Sequence, residues 1–296
     1  MNAPPTPMPT TAGSAAVALP GRARLARLAD PQSLSVALAV LMGAQAAIGL
    51  LVPSVYRDEA WVAAAWFGND LVTLLVAVPV LAASLVAARR GSVRGRVLWL
   101  AMLGYAVYNY GYYLFGASLN VLFPLIVLLF TLPIIALLLA VARLDPSSIA
   151  FRMRSAPVGW AVAYLLFTGI GLTVAWLAQW AGYVINGTVP AVGLDAFRLI
   201  AAMDLSFMVP PMLVGAALLA RRRPWGSVIA PVIILKGATY TLVLTASSLV
   251  AGTRGIEGSF EQAPIWAAWT VAGMLAGWTL LRGLDRRPSG PGSTAA

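Results

Sequence analysis

VLFPLIVLLFTLPIIALLLAVA, residues 121–142, carries no charged side chain. At a rise of 1.5 Å per residue, a helix over this stretch reaches about 33 Å, enough to cross the roughly 30 Å hydrocarbon core of a bilayer. Seven further runs of comparable length and apolarity flank it, at 34–52, 71–88, 97–115, 158–180, 197–220, 228–250 and 265–281. Between them lie short segments rich in arginine. This pattern predicts an all-α, polytopic transmembrane helix bundle of eight spans.

Composition agrees. Hydrophobic residues make up 60% of the 296-residue chain and charged residues 10%, against about 25% charged in a soluble domain. Mean hydropathy is +0.84. The net charge of +10 is spread through the gaps between spans rather than gathered on a soluble face, so it reads as a topology signal and not as a nucleic-acid footprint. The chain has no cysteine and no histidine. That removes disulfides, thiolate metal sites and the usual neutral-pH proton carrier, and no cofactor or metal is expected. A single lysine among twenty basic residues points to a GC-rich, bacterial genome.

Residues 1–33, rich in Pro, Ala and Thr, are expected to form a disordered cytoplasmic tail, 34–283 the eight-helix domain, and 284–296 a second cytoplasmic tail. Ala44-Gln45-Ala46 imitates a signal-peptidase site, but the first span reads better as an uncleaved anchor. With the N-terminus inside, sixteen of the twenty basic residues fall on the cytoplasmic side. The opposite side holds Arg57, Arg198 and Arg254 against Asp58, Glu59, Asp70, Asp195, Glu257 and Glu261. The positive-inside rule then puts both termini in the cytoplasm of a plasma-membrane protein. Arg221 to Arg223 with Trp225 suit anionic lipid headgroups at the inner leaflet.

An internal echo divides the chain. Asp70-Leu71, Val78-Pro79 and Arg89-Arg90 in the second span correspond to Asp204-Leu205, Val209-Pro210 and Arg221-Arg222 in the sixth. The pattern implies a parallel repeat of four spans plus four. Prolines at 79, 124, 133, 210, 211 and 231 are expected to kink their helices.

Two ionisable residues stand inside apolar runs. Asp204 lies about 25 Å, and Lys236 about 18 Å, from the basic ends of consecutive antiparallel helices. Each charge near the bilayer centre costs about 2.5–3.5 kcal/mol on insertion scales, so the two are expected to meet. The pair reads either as a salt bridge that fixes helix packing or as a functional pair in a polar cavity. Tyr105, Tyr108, Asn109 and Tyr112 share one face of the third span, and Tyr240 lies one turn beyond Lys236. Asp204, Lys236, Tyr105, Tyr108, Asn109 and Tyr240 therefore form the candidate intramembrane polar site. Tyr112 and Tyr113 read as part of the interfacial aromatic belt. The loop 56–70 reads as an interfacial helix whose carboxylates, Asp70 included, face solvent. Gly273 and Gly277 form a GxxxG packing motif, and Gly169 and Gly171 can act likewise.

The stretches GNDLVTL (68–74), YNYGYYLFGASLN (108–120) and RRPWG (222–226), followed by Lys236, resemble a largely actinobacterial family of multi-pass membrane proteins. That family brings no assigned activity; the resemblance implies only that Asn120, Asp204 and Lys236 serve a purpose. There is no histidine box, GxSxG or thiol, so an enzyme is the less favoured class. The residues lean instead to a transporter or sensor of unknown ligand, with a structural or accessory membrane protein as the alternative.

Overall fold

The computed structural model describes residues 30–284. Most of the two expected tails, 1–29 and 285–296, lies outside the described residues. Nine helices and no strand are found among the described residues: α1 (Pro31–Leu51), α2 (Ala60–Arg89), α3 (Val93–Gly116), α4 (Phe123–Ala142), the short α5 (Pro146–Met153), α6 (Gly159–Asn186), α7 (Leu194–Ala220), α8 (Gly226–Thr253) and α9 (Ser259–Gly283). Seven of them, all but α3 and α5, are long and apolar enough to cross a membrane. The remaining expected span, 97–115, falls in α3. Its 24 residues match the others in length, but its tyrosines and Asn109 lower its hydropathy.

Helix α1 begins at Pro31, three residues before the apolar run. Asp30 caps it, accepting a hydrogen bond from the Ser33 amide at 3.0 Å, and proline occupies the first turn, where no amide donor is needed. The larger correction concerns α2. The interfacial helix expected within 56–70 is not a separate element but the first turns of α2, which starts at Ala60 and runs unbroken into the second span. Asn69 and Asp70 thereby move from solvent into the protein interior.

Helices α3 and α8 cross at the centre. α3 packs on α2, α4 and α8, while α8 packs on α2, α3, α7 and α9. α1 closes against α2 and α4, and α6 against α7 and α9. Fifteen of the 24 residues of α3 are buried, so its polar side chains face other helices and not lipid. Gly277 packs against Leu235 of α8, and Gly273 against Ala238 and the Tyr164 hydroxyl, as the GxxxG spacing anticipates. Gly169 meets Met212 and Leu213, whereas nothing packs against Gly171.

Two prolines shape two helices in the same way. A proline ring clashes with the carbonyl four residues back and brings no donor to it. In α2 the turn before Pro79 widens into a π segment, Thr73–Ala77, with the Val78 amide bonded to the Thr73 carbonyl. In α7 the turn before Pro210 does the same over Asp204–Met208, with the Val209 amide bonded to the Asp204 carbonyl. The two segments are displaced by 131 residues, Thr73 to Asp204.

The same displacement holds through the following turn. Arg90, Gly91 and Ser92 donate to the carbonyls of Val86, Ala88 and Ala87; Arg221, Arg222 and Arg223 donate to those of Ala217, Leu219 and Leu218. The left-handed residue of each turn is Gly91 (φ 82°) and Arg222 (φ 51°). Gly95 then lies against the backbone at Ala87 and Ala88, and Gly226 against that at Leu218 and Leu219. A constant displacement of 131 sets Asp204 opposite Thr73 and not, as the sequence echo implies, opposite Asp70.

Candidate functional site

Asp204 opens the π segment of α7 and is 7% exposed. One carboxylate oxygen accepts a hydrogen bond from the Tyr108 hydroxyl of α3. The other accepts from the Trp176 indole of α6 at 2.9 Å. Three helices therefore converge on this one side chain.

Lys236 of α8 is 4% exposed. Its stem passes Gly104 of α3, where an added Cβ would lie in ordinary contact with it at 4.0 Å. The ammonium lies 3.8 Å from the centre of the Tyr108 ring, a cation–π arrangement. It also donates to the Phe207 carbonyl at 3.4 Å and touches the Met208 sulfur. The Phe207 carbonyl has no helical donor four residues on, since that position is Pro211; Lys236 serves in its place.

The expected direct meeting of Asp204 and Lys236 is thus corrected. They are neighbours without ion-pair contact, and Tyr108 stands between them, its hydroxyl on the carboxylate and its ring face under the ammonium. The length of the lysine stem closes the difference in depth, as anticipated, but the aromatic ring from α3 blocks the last step.

The other candidate residues gather around this centre. Tyr108 and Tyr112 share a hydrogen bond at 3.1 Å. Tyr240 meets Tyr108 edge to face at 4.7 Å and stacks on Tyr112 at 5.4 Å. Tyr112 and Tyr113 are buried, so their reading as an interfacial belt is corrected: their α3 face turns inward because α2, α4 and α8 surround it. Tyr105 bonds Thr73 at 3.0 Å. Tyr105 and Thr73 precede Lys236 and Asp204 by 131 residues each, the displacement that also relates the two π segments. Asn109 is fully buried, and neither amide atom has a hydrogen-bond partner among the described residues.

A second polar cluster went unrecognised in the sequence. Asp70, fully buried, accepts from Gln45 of α1 at 3.0 Å and Tyr113 of α3 at 2.7 Å on one oxygen, and from Tyr56 at 2.5 Å on the other. Gln45 in turn accepts from Tyr110 at 3.0 Å. Gln45, a lone amide within the first apolar run, was the available signal. Gly49 makes the room, since a Cβ there would overlap the Asp70 carboxylate and the Tyr56 hydroxyl.

Two outlying residues have local roles. Asn120 accepts from the Leu122 amide at 2.9 Å and so caps the turn into α4. Both terminal nitrogens of Arg222 donate to the Ala156 carbonyl at 3.1 Å, which commits one of the three arginines expected at lipid headgroups.

No known protein family, curated protein or solved structure matches the chain, and the resemblance read from 68–74, 108–120 and 222–226 finds no counterpart there.

Proposed function

We propose that this multi-pass membrane protein is a transporter of eight spans, α3 being the eighth, arranged as two four-helix halves with both termini in the cytoplasm of a plasma-membrane protein. Asp204, Tyr108 and Lys236 form its ligand- or proton-coupled centre. The observation that carries this reading is the holding apart of two buried opposite charges by one tyrosine. A purely structural pair gains most from direct contact, because an imperfectly paired charge in a low-dielectric interior is costly. Here each charge instead has a neutral partner it can exchange.

Supporting features lie close by. Asn109 offers an unused donor and acceptor beside the tyrosine array. The π segments that carry Thr73 and Asp204 interrupt regular helix at the level of the site, as broken helices do in transporters. The 131-residue displacement of turns and glycines favours the two-half organisation.

Reconstitution tests this. On a solid-supported membrane, proteoliposomes should give transient currents in response to a pH step or to one class of solute among amines, amino acids and organic anions. Asp204→Asn and Lys236→Met should each abolish the response. Silence of the wild-type protein across pH steps and all three classes would count against transport.

The accessory reading draws on α6, whose outer half from Leu177 to Asn186 is largely exposed and rich in apolar side chains. A stoichiometric partner that stays bound in mild detergent and crosslinks to this half would favour it.

A further inference from the structure

We propose that Asp70 is a separate, reversible proton-binding site, closed off by the turn that carries Tyr56. The inference stands on the geometry at Asp70 and does not require the Asp204 centre to transport anything.

Asp70 is surrounded by donors and by no charge. Gln45 faces it from α1, Tyr56 from the connection to α2, and Tyr110 and Tyr113 from α3; Asn69 and Thr73, bonded to each other at 3.3 Å, flank it on its own helix. None of these is a lysine or arginine, and no ion pair joins Asp70 among the described residues. Compare Asp204, which has an ammonium on the far side of its tyrosine. A carboxylate with full burial and no counter-cation is unstable toward neutralisation by whatever small cation reaches it.

The geometry points to the proton as that cation. A hard metal ion needs about six oxygen ligands, and no group of three or more acidic or metal-ligating side chains exists among the described residues. Three N–H and O–H donors already occupy the Asp70 carboxylate, two on one oxygen and one on the other. A proton needs only one lone pair, and the 2.5 Å bond to Tyr56 supplies the place.

Protonation rearranges the cluster in a defined way. Hydronium delivers its proton to the oxygen facing Tyr56, an O–H bond forms there, and water leaves. Asp70 then becomes the donor and the Tyr56 oxygen the acceptor. That oxygen already accepts from Gln45 at 3.0 Å, so the hydrogen of Tyr56 must turn away and find another acceptor. Tyr56 directly follows the single turn of 3-10 helix at Pro53–Val55, so the reversal is transmitted to the α1–α2 connection. In this cluster proton uptake at Asp70 and reversal of the hydrogen bond that holds the Tyr56 turn are one event.

Infrared difference spectroscopy between acid and neutral pH on the full chain in lipid tests the assignment. A carboxylic C=O band, shifted in D2O, should appear at acid pH, vanish in Asp70→Asn and persist in Asp204→Asn. Tyr56→Phe keeps the carboxyl but removes its short hydrogen bond, so the band should move in frequency. A wild-type difference spectrum without such a band, or one unaltered by Asp70→Asn, overturns the proposal. Should Asp70→Asn fail to fold, a band unmoved by Tyr56→Phe also overturns it, and a shifted band sustains it.

Discussion

Tyr108 links two of the ionisable groups that the bundle buries, Asp204 and Lys236, and its position on α3 explains why both are tolerable. The hydroxyl satisfies Asp204 and the ring face satisfies Lys236, so each charge depends on the tyrosine more than on the other charge. In detergent-solubilised protein, the coupling energy between Asp204→Asn and Tyr108→Phe should therefore exceed that between Asp204→Asn and Lys236→Met, with the former in the range of about 1–2 kcal/mol typical of directly contacting residues. Thermal denaturation of the two double-mutant cycles measures it. The Asp70 cluster has its own test. Gly49→Ala puts a methyl group into the carboxylate and the Tyr56 hydroxyl and should lower the melting temperature, even though alanine is the better helix former by about 1 kcal/mol. Gly43→Ala, on the same helix with nothing closer than Val78 at 4.0 Å, should be tolerated. The charges at 204 and 236 were legible in the sequence because ionisable residues stand out against an apolar run. The interposed tyrosine and the burial of Asp70 were not, since both depend on which helix lies alongside.

Prolines were read as kinks, and at 79 and 210 the kink takes a particular form. One extra residue enters the turn ahead of each proline, which relieves the ring clash and rotates the preceding half-helix. Asp204 opens one of these widened turns, so its direction is set by a proline six residues later. The turns after α2 and α7 repeat the same hydrogen bonds, yet the left-handed position is glycine in one and arginine in the other. A left-handed conformation strains any residue with a Cβ, and the two hydrogen bonds of Arg222 to Ala156 offset that strain. The glycines behind these turns are stricter. Gly226→Val would drive a side chain into the backbone at Leu218 and Leu219, and should separate α7 from α8 with loss of monodisperse protein in size-exclusion chromatography. Gly159→Val, with open space around the added carbon, should leave the elution profile unchanged. Sequence spacing exposed the echo between the two helices and matched their prolines at 131, but it paired Asp204 with Asp70 in place of Thr73, because matching aspartates is a weaker guide than matching turns.

At the level of the whole molecule, apolar run length located seven long helices to within a few residues at most ends, while α2, α6 and α9 proved longer than their apolar cores. The sides proposed from the charge distribution are open to measurement because the chain has no cysteine. Single cysteines at Ser92 and Ser147 should react with a membrane-impermeant maleimide only after cells are opened, and single cysteines at Thr188 and Glu257 should react in intact cells. Thr73 and Tyr105 form a buried neutral pair, whereas the residues 131 positions later, Asp204 and Lys236, are the charged ones. One of those, Lys236, is the only lysine in the chain. Besides the α-amino group, the folded protein thus presents no primary amine to its surroundings. Acylation by an N-hydroxysuccinimide ester must wait until α7, α8 and the Tyr108 ring part, so the rate at which the peptide containing Lys236 gains its acyl group is a clock for how often the centre of the bundle opens.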